Sequence, residues 1–444
     1  MAVEQEVPPP KTPEHQAPAD QNRYAWLVVG LLSLLLLVNF ADKAVVGLAG
    51  SEIKRELGLD ARQFGIVQSS FGWLFAIGGI LGGWLVGKVQ ARWLLFGISA
   101  LWALSMLPLA WQVGLGMVIA SRVLLGFAEG PTTALAIHVA HSWFPAARRV
   151  LPSSVLVAAA GIGPAVGVPV LTWIITDYSW HAAFGSLAAM GAIFALIWLL
   201  LGRDGPETSA GAHSGTGEHD ADVPRLPDRV PLRKIFGTGT VLGIMLLLFM
   251  TYTNTTLKIT WLTLYLEEGM GYGDKTAKQL TALPYVGAAV AAISIGVVSA
   301  ALTRRGFSNR VTRGLLGSSL VLASGLATVT FTTLEAGTPH MVLLVLASCL
   351  STAGYGATFA AVSDVAPAKQ RGLVLAIVTA FYSLATIVAP IAMGGFVATG
   401  RSVAEGYSNG FLTVGIGMIV VAVAAMFLID PDRDARKLST IDST

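Results

Sequence analysis

Twelve apolar runs, each near the roughly 20 residues a helix needs to cross a hydrocarbon core, dominate this chain. They fall at about 24–49, 64–86, 93–112, 114–139, 151–175, 182–202, 237–266, 279–302, 311–333, 340–362, 372–398 and 409–429. In lipid, every backbone N–H and C=O must find a partner inside the segment, so runs of this length fold as membrane-spanning α-helices. Only 12% of the 444 residues are charged, about half the share of a soluble domain. The fold class expected is therefore an all-α polytopic membrane protein.

Lysine and arginine set the orientation, because cytoplasmic loops carry their excess. With the amino terminus inside, the segments on that side hold 20 of the 29 basic residues, the opposite side holds six, and three lie within runs. Both termini are then cytoplasmic. The net charge of +3 is this inside bias and gives no reason to expect nucleic acid. Residues 1–23, rich in Pro, Glu, Gln and Ala with no apolar core, read as a disordered cytoplasmic tail, and residues 431–444 as a second tail. The single cysteine, Cys349, excludes an intramolecular disulfide.

The longest polar interruption, residues 203–234, has the Gly, Ser, Pro and charged content of a flexible linker. It divides the chain into six-run halves at 24–202 and 235–430. The halves echo each other. W-F-P-A-A-R-R at Trp143 and V-A-P-A-K-Q-R at Val365 follow the fourth and tenth runs, with Pro and Arg four apart in both. Gly83 and Arg92 find counterparts in Gly296 and Arg305. Echoes at nearly one offset on either side of a linker indicate two pseudo-symmetric halves.

Charges inside the runs point to function. An ionised group at membrane depth costs about 3 kcal/mol on the mildest scale, so such residues are rarely idle. Away from the run ends there are five: Asp42 and Lys43 in the first run, Arg122 and Glu129 in the fourth, and Lys258 in the seventh. Arg122 and Glu129, seven residues apart, share one helix face. The offset between halves carries Asp42 onto the neighbourhood of Lys258, so these two are expected to face each other across the interface. Asp42 and Glu129 are the candidate proton carriers, with Arg122 tuning Glu129; a permanent ion pair is the structural alternative. Lys43 and Lys258 are candidate anion ligands. Asn39, Tyr252, Asn254, Trp261 and Tyr382 are candidates for substrate contact, although Trp and Tyr more often form the interfacial belt. His138 and His141 sit at the inner end of the fourth run and read first as interfacial polar residues. Gly161, Gly163, Pro164, Gly167 and Pro169 in the fifth run are explained by close helix packing.

At these residues the chain resembles the major facilitator superfamily, and within it the anion:cation symporter family of organic-anion transporters. The resemblance rests on F-A-D-K at Phe40–Lys43, R-x-x-x-G-x-x-E at Arg122–Glu129, W-F-P at Trp143, S-W-H-A-A-F at Ser179, W-L-T-L-Y-L at Trp261 and D-V-A-P at Asp364. It implies the major facilitator fold, with a transport site between the halves, over nearly the whole length from Asn39 to Leu428. The cytoplasmic G-x-x-x-D-R-x-G-R signature departs here: Gly87 stands where its gating Asp belongs, and Ala300 holds the matching place in the second half. Arg148 and His181 depart likewise from the acid after W-F-P and from the Arg of the Trp-Arg pair.

The function expected is proton-coupled symport of a small organic carboxylate by alternating access, into a bacterial cell across its inner membrane. Protons and the organic anion are the partners, the bilayer is the setting, and a monomer is the default. Proton-driven efflux uses the same architecture and is the alternative within transport. A non-transporting sensor would require an output domain that neither tail nor linker provides. No nucleotide loop, metal-ligand cluster or nucleophile arrangement appears, so no enzyme and no cofactor is expected.

Overall fold

The computed structural model describes residues 19–440 apart from 87, 146–147, 207–226, 228, 306, 309, 354 and 368. Among the described residues, ten helices are long and apolar enough to cross a membrane: Asn22–Leu48, Ala61–Val86, Ala91–Ala110, Leu115–His141, Leu151–Asp177, Trp180–Leu201, Gly239–Thr260, Arg310–Phe331, Arg371–Thr399 and Val403–Leu428. Helices Leu283–Arg304 and Thr338–Ala353, the latter followed by Tyr355–Val365, occupy the eighth and tenth places. Helices thus stand at the places of all twelve apolar runs, and they are numbered here in chain order as spans one to twelve. Most of the expected linker lies outside the described residues, as do Gly87 and residues 1–18.

Short polar residues start the spans. Asp60 accepts from the Gln63 N–H while the Gln63 side chain accepts from the Asp60 N–H, a reciprocal cap on the second span. Ser179, Thr238 and Ser402 cap the sixth, seventh and twelfth. Each supplies an acceptor for first-turn N–H groups that a helix cannot satisfy itself. The carboxy-terminal segment is more ordered than a tail. Pro431–Ser439 is helical, and its buried Asp434 accepts from both the Thr240 N–H and hydroxyl at the start of the seventh span.

The halves meet on the side opposite the termini. There the second span runs along the eleventh, and the fifth along the eighth. Glycine permits this closeness: a Cβ at Gly65 would lie 2.6 Å from the Pro390 carbonyl oxygen, and one at Gly394 2.5 Å from that of Ala61. Phe64 meets Trp261 edge-on, with ring centroids 5.2 Å apart, and the Gln68 amide donates to the Thr260 carbonyl at 2.9 Å. Beyond this seam, Lys54 pairs with Glu268 at 2.6 Å, and Lys278, fully buried, pairs with Glu52 of the other half and with Asp274. The structure is therefore closed on the side away from the termini.

Four carboxylates and two lysines make up this outer cluster. Burial pushes the Glu267 carboxyl up; Asp274 and Glu52 add to the shift, and the Ser51 hydroxyl and Lys278 oppose it. Its proton is therefore held more tightly in the closed form. The resulting stabilisation of closure is present at acid pH and lost as pH rises through the elevated value. Spin labels at Arg55 and Lys275, exposed residues of opposite halves, should report a growing open population on alkalinisation, and Glu267→Gln should flatten that dependence. Gly394→Val should raise the open population about tenfold at any pH, the response to ~1.4 kcal/mol of overlap in one state only; an unchanged distance distribution would mean that the seam tolerates a side chain there.

Candidate functional site

Two helices break where the buried acids lie. The first span is helical to Asp42, turns at Lys43 and Ala44, and resumes at Val45. The fourth is helical to Glu129 and resumes at Thr132. Pro131 accounts for the second interruption, since it lacks the N–H that would continue the hydrogen-bond ladder, while Gly130 keeps helical dihedrals. Discontinuous helices place side chains and free backbone at membrane depth, the arrangement transporters use around a midplane site.

Lys43 organises the amino-terminal cluster. Its ammonium bonds the Glu129 carboxylate of the fourth span and the Asn39 side-chain oxygen at 3.1 Å, and it lies 4.7 Å from the centre of the Phe40 ring. Asp42, with no exposed surface, accepts from the indole N–H of Trp102 on the third span. Its carboxyl also faces that of Glu129. One oxygen of each acid, Asp42 Oδ1 and Glu129 Oε1, is buried without a hydrogen-bond partner, as are Arg122 Nε and Nη1. Arg122 stacks 4.9 Å from the Phe71 ring centre. Two acids and two cations balance if all are ionised.

The pairing differs from that read in the sequence. The ion-pair partner of Glu129 is Lys43; Arg122 lies within electrostatic reach but forms no hydrogen bond with it. Asp42 turns inward to Trp102, so it does not meet Lys258. Lys43, expected as an anion ligand, is already occupied, and Asn39, 3% exposed, backs the lysine. The reason is spatial: Lys43 faces the fourth span, where its ammonium reaches the Glu129 carboxylate.

Among the described residues Lys258 is buried with neither a hydrogen bond nor an ion pair, its ammonium 5.0 Å from the centre of the Tyr285 ring on the eighth span. The Tyr285 hydroxyl is buried and unpartnered as well. Asn254 donates to Ser351 Oγ at 3.2 Å. Tyr252 and Tyr382 pack edge-on at 4.9 Å, with Tyr252 in electrostatic reach of Glu129. Trp261 is elsewhere: fully buried in the outer seam against Phe64 and Tyr407, it closes the site from above. His141 is engaged with Ser153 at 2.7 Å. Phe71, Trp102 and Tyr285 belong to the site and escaped the sequence reading. For Trp102 a signal existed, since it falls mid-run, away from the interfaces where belt tryptophans sit.

Comparison with known proteins bears on what this geometry serves. The sequence profile of the Major Facilitator Superfamily matches residues 32–361 and, overlapping, 313–443. Among similar curated proteins, the "Probable galactarate/D-glucarate transporter GarP" of Escherichia coli (strain K12) is 26% identical over 431 residues, 91% of this chain and 94% of that protein. The "D-galactonate transporter" of Escherichia coli O6:H1 is 25% identical over 437 residues, 94% and 97% of the two chains. Among solved structures, an inward-facing, unoccupied bacterial homologue of the human lysosomal transporter Spinster superimposes with a TM-score of 0.74 over 95% of this chain and 99% of that one, at 17% identity. The D-xylose-proton symporter gives 0.73 over 93% and 99%, at 16% identity. Interrupted helices around a buried charged site are what a transporter requires and what an enzyme does not explain, and the chain belongs to the Major Facilitator Superfamily.

Proposed function

We propose that this protein is a proton-coupled symporter that brings a small organic carboxylate, of the sugar-acid class, into a bacterial cell across the inner membrane. With both termini cytoplasmic, as the basic-residue count supports, the closed seam is periplasmic and the structure is the inward-facing state. Residues 203–234 then join the two rocking halves on the cytoplasmic side, and the unit is a monomer.

The facing carboxyls of Asp42 and Glu129 carry this reading. Each has a buried oxygen with no donor, and leaving a buried acceptor unmade costs about 1–3 kcal/mol, more for a charged group. A proton on either acid turns one acceptor into a donor toward the other. A proton on Glu129 also releases Lys43, which then has a positive charge to offer a carboxylate. Lys258, unpaired with the Tyr285 hydroxyl beside it, and the free donors of Arg122 supply the remaining anion contacts. Asn254, Ser351, Tyr252 and Tyr382 suit the hydroxyls of a sugar acid, the substrate class named for the two curated relatives above.

Coupling follows from charge in low dielectric. With its acids ionised the site keeps Lys43 on Glu129 and leaves only Lys258 for the anion; protonated and without the anion it carries Lys43 as well as Lys258 uncompensated, which is costly to take through closure. Only loading both, or neither, permits reorientation.

Organic acids from a panel that includes D-glucarate and D-galactonate should be added singly to lightly buffered, de-energised cells while external pH is recorded. Alkalinisation by one of them establishes symport. Glu129→Gln should abolish proton-driven accumulation and leave counterflow exchange largely intact; retained accumulation would remove Glu129 from coupling. Acidification instead of alkalinisation would favour efflux. Lys258→Ala should raise the KM for the active acid about tenfold or more, as expected when a charge-assisted contact of 1.5–3 kcal/mol is lost. An unchanged KM would retire it as a ligand.

A further inference from the structure

Trp102 stands out because the transport reading gives it no task. It is 2% exposed, lies near the middle of the third span, and directs its only polar atom at Asp42. An indole N–H donates and never accepts. It therefore cannot relay a proton; it can only favour the ionised carboxylate. The two Asp42 oxygens are thereby made unequal: Oδ2 is held by the indole, and Oδ1 is buried without a partner.

The seat of the indole is built by a second residue. A Cβ at Gly191 on the sixth span would lie 2.8 Å from Trp102 Cε3 and 3.0 Å from Cζ3, so any larger residue there displaces the ring. Beyond the ring lies an apolar groove of about 120 Å³ that opens on the outer surface of the first and sixth spans, lined by Leu34, Leu35, Val38, Ile193 and Phe194 among others. Its lining residues carry no polar side-chain atom other than the indole itself, and the surface it opens on is one that spanning helices turn to lipid, so nothing on that side takes over the donor role of the indole. The charged groups facing Asp42 are Glu129 and Arg122 from the fourth span and Lys43 from its own. The fifth and sixth spans, also packed against the first, bring no titratable side chain between residues 150 and 176 or 182 and 201.

We propose that Trp102, seated by Gly191, is a positioning residue for proton coupling: its indole N–H fixes Asp42 Oδ2, confines proton uptake to Oδ1 opposite Glu129, and sets the pH at which Asp42 loads. The inference rests on Asp42 being a proton carrier, and the test separates the two claims.

The purified full-length protein is titrated by infrared difference spectroscopy in the absence of substrate, following the protonated-carboxyl band. Asp42→Asn identifies the component that belongs to Asp42. In Trp102→Phe that component should persist with its midpoint moved to higher pH by about one unit, a tenfold lower proton concentration, as loss of a charge-assisted hydrogen bond requires. Gly191→Ala, which displaces the indole without removing it and suits a helix better than glycine, should move the midpoint in the same direction. It carries the test if Trp102→Phe does not fold. A midpoint unchanged in the folded variants overturns the role of Trp102 and leaves Asp42 as carrier. A band unaffected by Asp42→Asn overturns Asp42 as carrier and this inference with it. A purely packing role for Trp102 would lower the melting temperature and leave the midpoint in place.

Discussion

The ion pair between Lys43 and Glu129 joins two broken helices deep within the protein, and much of the amino-terminal half is arranged to make it tolerable. Separating one partner from a buried pair costs about 3–5 kcal/mol, because the other charge remains without water. Asn39 adds an acceptor for the ammonium, and the faces of Phe40 and Phe71 add a weak attraction of the same sign. What is left unsatisfied is equally telling. The free oxygens of Asp42 and Glu129 and the free nitrogens of Arg122 are the groups a proton and an anion would complete. A fully satisfied cluster would be rigid and inert, whereas a partly satisfied one can exist in two protonation states of similar free energy.

The outer seam obeys a different requirement, since it must hold and also open. Its close backbone approaches use glycine, at Gly65 and Gly394, so tight packing is achieved with little side-chain ordering. The Lys54–Glu268 pair, with side chains 17% and 27% exposed, falls in the range where an ion pair contributes about 0–1 kcal/mol. Lys278 is the exception, fully buried between Glu52 and Asp274. Opening must hydrate it, which gives the closed face a specific electrostatic anchor amid otherwise weak contacts. The signature expected to latch the opposite face lacks its acid at Gly87 and at Ala300, and a closed face held largely by small contributions leaves the balance between states fine.

The all-helical membrane fold and the charged residues within the spans were legible because each rests on a local rule: apolar length, and the cost of an ion in hydrocarbon. Partner choice was not. Arg122 and Glu129 share a face of one helix, which made them the natural pair, yet Lys43 lies 86 positions before Glu129 in the chain and takes the carboxylate. Asp42 and Lys258 occupy related places in the two halves, yet Asp42 turns to Trp102. Trp261 looked like a site aromatic and proved to be a seam residue, because only the packing of one half on the other covers it.

By itself, then, the sequence determined that this chain crosses a membrane as helices, with titratable groups where they are expensive. Those properties are set residue by residue by transfer from water to lipid. Only the tertiary structure decided which charge meets which, that Lys258 has no partner, that Trp102 holds Asp42, and which face is closed. Such choices depend on distances of a few ångströms between helices remote in sequence. There the Coulomb and hydrogen-bond terms change steeply, and no periodicity along the chain records them.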